Sequence, residues 1–100
     1  MDVIQCASQI DVDSIMSYLR ITEATADDRA TLSNLLEVAK AFTKSYTGVT
    51  DAGLDEHTDF VIVVLILVQD MWDNRTMYVD TQNLNFAVKT ILDLHSVNLL

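Results

Sequence analysis

Apolar side chains recur along the chain at helical spacing. Val12, Ile15, Met16 and Leu19 fall three and four residues apart and form one stripe. Asp11 stands where an N-cap belongs, and Asp13 follows in the first turn, where a negative charge suits the helix dipole. A second stripe runs through Leu32, Leu35, Leu36, Ala39, Phe42 and Tyr46. Thr25 followed by Asp27 and Asp28 signals its start, and Gly48 its end. Lys40 and Lys44 sit toward that helix's C-terminus, as the dipole favours.

The run 60–68, FVIVVLILV, has no period of its own and is rich in β-branched residues, so taken alone it suits a buried strand as well as a helix. Its flanks favour a helix. Glu56, Asp59, Asp70 and Asp73 return to roughly one side, and Met71 and Trp72 prolong the apolar part. Such a helix has a single narrow polar strip and has to be covered on most sides. Phe60, Val64, Leu65, Val68 and Trp72 are therefore candidates for the core or for contact with another subunit. Phe86, Val88, Ile91, Leu92 and Leu94 mark a last helix, and the apolar end Leu99-Leu100 is a candidate docking element. Residues 49–54 and 76–85 read as connections. The expectation is an all-α fold: one domain over 1–100, with a lead-in at 1–10 and a bundle of about four helices, near 11–20, 26–47, 55–75 and 86–97, the third long, central and apolar.

Composition sharpens this picture. The chain has no proline and only two glycines, Gly48 and Gly53, fewer turn residues than a β-sandwich or barrel normally uses. Fifteen acidic residues against six basic ones give a net charge of -9. Gripping DNA through its phosphates needs a basic face, which six scattered cations do not supply. The single Cys6 cannot form an intrachain disulfide. The first residues lack a basic segment followed by a long apolar one, so no secretion signal is expected. The apolar run 60–68 is far short of the roughly 20 residues that span a membrane.

Catalytic and metal chemistry find little support at this level. His57 and His95 lie in different predicted helices, show no HxxxH or HExxH spacing, and are expected to be solvated helix-end residues. The acidic group Asp51, Asp55, Glu56 and Asp59 does not match a calcium-binding loop and reads as a solvated helix start. There is no glycine-rich phosphate loop and no Gly-x-Ser-x-Gly turn, and Cys6 has no base near it in sequence. The expectation is a protein without enzymatic activity, cofactor or metal, whose apolar surplus serves assembly unless it is all packed internally.

The stretch from Val12 to Ile21 ends in Tyr18-Leu19-Arg20-Ile21; Asp27-Asp28, the stripe Leu32, Leu36, Ala39, and Tyr46-Thr47-Gly48 follow in order. This series resembles the head–tail connector (head-completion, or adaptor) proteins of tailed bacteriophages, with their "YLRI" helix end, "DD" helix start and "YTG" helix close. The central apolar helix, ending in Trp72-Asp73-Asn74-Arg75, and the short last helix also resemble that family, so the likeness covers about residues 10–97. The chain departs from it at Val49, where a basic residue often follows the "TG". It also lacks the family's proline before the last helix and its arginine-rich end. The resemblance implies a ring of about twelve subunits, closed by heterologous contacts. The ring would dock beneath the portal protein, prolong the DNA channel and receive a tail-side joining or stopper protein. DNA would pass without sequence-specific binding, and no membrane would be involved. The subunit would assemble in the bacterial host cytoplasm and reside in the virion. The alternative from the residues alone is a small helical adaptor or regulator of a bacterial cell, holding a partner's helix in an apolar groove.

Overall fold

Capping chemistry marks out the first two helices. In the computed structural model, which describes residues 6–96, α1 spans Val12–Leu19. Asp11 caps it, its carboxylate accepting from the Ser14 backbone N–H at 2.8 Å and the Ser14 hydroxyl at 2.7 Å. Arg20 ends it in the left-handed conformation, at φ 60°. Helix α2, Ala26–Thr47, opens on a reciprocal capping box: the Asp28 N–H donates to Thr25 Oγ1 at 3.0 Å, and the Thr25 N–H to Asp28 Oδ2 at 3.2 Å. It closes on Gly48 at φ 78°, a conformation glycine adopts without steric cost.

The predicted third helix, 55–75, is two helices. Short α3 spans Asp51–Glu56, beginning inside the segment read as a connection, and is capped by Thr50; α4 spans Asp59–Asn74. His57 is extended between them, at φ -119° and ψ 118°. After the break α3 lies against the N-terminal 3-10 turn at Ala7–Gln9, where the Ser8 N–H donates to Asp55 Oδ1 at 3.0 Å, and Leu54 and Phe60 are both buried. Arg75 ends α4 in the left-handed conformation, at φ 57°. The connection 76–85 contains a 3-10 turn, Thr81–Asn83, capped by Asp80. Helix α5, Phe86–His95, is capped by the Asn85 side chain. Ser96 is already extended, and Val97, the expected end, lies outside the described residues. The lead-in takes part in the core: a 3-10 turn, Ala7–Gln9, buries Ala7, and Ile10 is buried beside it.

Among the described residues every regular element is helical, so the all-α expectation holds. Helix α4 is central. It packs most extensively on α2, with α5 and α1 also against it. The core comprises Ile15, Leu32, Leu35, Leu36 and Ala39, then Phe60, Val63, Val64, Leu67, Val68 and Met71, closed by Val88 and Leu92. On α2 the buried stripe continues through Thr43 and Thr47, while Phe42 and Tyr46 are only half-buried. Each threonine hydroxyl donates to the carbonyl one turn back, Thr43 to Ala39 at 2.8 Å and Thr47 to Thr43 at 2.7 Å. Their polar atoms are thus satisfied inside an apolar layer.

Helix α4 is less enclosed than its sequence suggests. Phe60, Val64 and Val68 are buried, Leu65 and Trp72 half-buried, and Ile62 is 52% exposed. The domain is flat, 46 × 31 × 19 Å, too thin to cover a central helix all round. No helix among the described residues is long and apolar enough to cross a membrane.

Candidate functional site

The residues that carry the family resemblance punctuate the helices and do not share one pocket. Tyr18, Leu19 and Arg20 form the end of α1. The Tyr18 hydroxyl donates to Gln69 Oε1 of α4 at 3.2 Å. Asp27 and Asp28 open α2. The adjacent Arg29 pairs with Asp13 at 3.0 Å and ties the starts of α1 and α2 together. Tyr46, Thr47 and Gly48 lie at the other end of α2, roughly 30 Å away at 1.5 Å per residue. There the Tyr46 hydroxyl donates to Asp93 of α5, and Asp93 also pairs with Lys89 at 2.8 Å. The bond to Asp93 makes the Tyr46 phenol harder to ionise, while the Lys89 ammonium, then Tyr46, hold the Asp93 carboxyl below its ordinary range.

Several large apolar side chains face outward. On α5, Val88 and Leu92 point into the core, whereas Phe86 is 83% and Leu94 75% exposed. Phe86 and Val88 are two residues apart, about 200° around a helix, so both cannot face the core. Of the apolar positions that mark this helix in the sequence, Phe86 and Leu94 are turned outward. Met77 and Tyr78, before the 3-10 turn, are exposed as well. Leu99 and Leu100, the expected docking end, lie outside the described residues.

A cleft of about 360 Å³ opens between the C-terminal half of α4 and the 76–84 connection, lined by Leu67, Asp70, Met71, Tyr78, Asp80 and Leu84 among others. Burial, then the nearby Asp73, pushes the Asp70 carboxyl up. Asp80 is held down by its hydrogen bonds to Asn83 and Gln82. The cleft offers acceptors and an apolar floor, and its lining includes no cationic side chain for an anion.

The histidines stand at helix ends, as the sequence suggests, with His95 the less exposed, but they are not isolated there. The break before α4 and the end of α5 bring His57 and His95 together, ring centroids 4.2 Å apart, both against the Phe60 ring. His95 Nε2 lies 2.7 Å from Asp59 Oδ2. One donor atom from each of His57, Asp59 and His95 fits within a mutual distance of 4.8 Å. The other carboxylate oxygen, Asp59 Oδ1, is buried without a hydrogen-bond partner among the described residues. The His57-x-Asp59 spacing at a helix start was a visible signal; nothing in the sequence linked it to His95.

The class defined by this arrangement is an acidic all-α bundle with outward apolar side chains and a histidine–carboxylate cluster. No family model, curated protein or solved structure matches the chain.

Proposed function

We propose that the chain is a head–tail connector subunit of a tailed bacteriophage. It assembles into a ring that joins the portal to the tail side and extends the DNA channel. The observation that carries this reading is the ordered series Tyr18-Leu19-Arg20, Asp27-Asp28, Tyr46-Thr47-Gly48. It falls on the end of α1, the start of α2 and the end of α2, in the order that the resemblance implies. Two physical features support it. Phe86, Leu94, Tyr78 and Ile62 offer apolar area that heterologous contacts in a ring would bury. A charge of -9 suits a channel that lets DNA slide, because phosphates gain nothing by pausing at an acidic wall. The role is structural and needs neither reaction nor cofactor.

The test is the absolute mass of the purified protein by light scattering coupled to size exclusion, alone and with a portal protein. The expected species is a closed ring of many 11.2 kDa subunits, formed alone or on the portal. A chain that stays monomeric and ignores the portal would overturn the reading and favour the helix-binding adaptor. A ring whose channel face proved basic or neutral would sink the sliding argument.

A further inference from the structure

We propose that His57, Asp59 and His95 form a binding site for a zinc-class divalent ion, which ties the end of α5 to the break between α3 and α4.

The donor set comes first. Two imidazoles and one carboxylate suit zinc, cobalt, nickel or copper, whereas magnesium and calcium prefer all-oxygen shells. Three protein ligands leave the fourth position of a tetrahedron to water or to a group from a partner.

The geometry is close to what such an ion needs. The three donor atoms lie within 4.8 Å of one another. An ion held at roughly 2.0–2.2 Å from each donor spaces them about 3.3 Å apart in a tetrahedron. The 2.7 Å between His95 Nε2 and Asp59 Oδ2 then opens by a few tenths of an ångström, and the His57 nitrogen moves in. The movement falls on side chains at helix ends: His57 after α3, Asp59 first in α4 and His95 last in α5. On a continuous helix His57 and Asp59 would point about 160° apart. The extended backbone at His57 is what brings them together.

The polar bookkeeping points the same way. Asp59 Oδ1 is buried and unpartnered, a costly state for a carboxylate oxygen. The His57 ring has aromatic neighbours, Phe60 and His95, but no hydrogen bond among the described residues. The His95–Asp59 contact alone therefore leaves one imidazole and one carboxylate oxygen unused; a cation between the three groups takes up the imidazole, and Asp59 has a second oxygen to offer it. Access exists, because the side chains of His95 and Asp59 retain 17% and 35% exposure.

The experiment is a titration of the full chain at neutral pH, with zinc followed by calorimetry and cobalt by visible absorption. The expected result is one saturable site per chain, a tetrahedral cobalt spectrum, and thermal unfolding that shifts upward with metal. His57→Ala is the deciding variant, because it removes a ligand and no hydrogen bond. It should keep its helicity and lose more than about a hundredfold in metal affinity, at least the usual cost of losing a supporting group around a metal. Asp59→Asn should also bind weakly. Absence of saturable binding would overturn the site, as would zinc binding unchanged in His57→Ala, or magnesium competing equally. The connector reading does not enter these readouts, so either idea can fail alone.

Discussion

Thr25 shows how much one side chain can set. It holds the first turn of a 22-residue helix through two reciprocal bonds with Asp28. Thr25→Ala is expected to cost about 1 kcal/mol in chemical denaturation. Thr43 is a contrasting case, because its hydroxyl serves only its own helix. Thr43→Val keeps the shape and should change stability by less than about 1 kcal/mol. The carboxyls of Asp11, Asp51 and Asp93 are all held below their ordinary value of 3.8, chiefly by hydrogen bonds from Ser14, Lys44 and Lys89 respectively. A depressed folded-state value contributes stability that is present above 3.8 and lost as pH falls through the folded values. Thermal unfolding should therefore be insensitive to these groups near neutrality and drop at pH below about 3.8. Asp70 has the opposite sign. Burial raises it, so its ionised form is disfavoured in the fold, and Asp70→Asn should slightly raise the melting temperature at neutral pH.

At the scale of elements, α1 and α2 were legible because each carries its own caps and a repeating apolar stripe. The division of 55–75 was not, because α3 turns aside to lie against the Ala7–Gln9 turn, with the Ser8 N–H bonded to Asp55 Oδ1, and that contact is far away in the chain. The lower half of the α2 stripe was also misread. Thr43 and Thr47 look polar, yet their hydroxyls are satisfied by the helix itself. Sequence reasoning treats Val64 and Leu65 alike, as candidates for the core or a subunit contact, and the structure separates them. Val64 is fully enclosed, so Val64→Asp should unfold the domain, visible as loss of helical circular dichroism. Leu65 is half-buried, so Leu65→Asp should lower the melting temperature and leave a folded helical protein.

For the whole molecule, the outward apolar side chains are the surface on which assembly can be tested. Phe86 and Leu94 contribute little to the core, so Phe86→Asp and Leu94→Asp should preserve helicity and melting temperature. If they lie in ring contacts, the same variants should shift the mass from ring to monomer in light scattering. A ring that survives both changes would remove α5's outer face from the assembly surface. The flat shape of the domain leaves α4 partly open, and Ile62 is a third position for the same test.

By itself the sequence determined the helical class, the extents of α1 and α2, and the acidic character, since caps, 3.6-residue periodicity and charge are local or additive properties. Only the tertiary structure decided where the apolar run is broken, which side of α5 faces the core, and that His57, Asp59 and His95 meet. Those outcomes depend on pairs of residues far apart in the chain competing for one small core, and no local pattern encodes that competition.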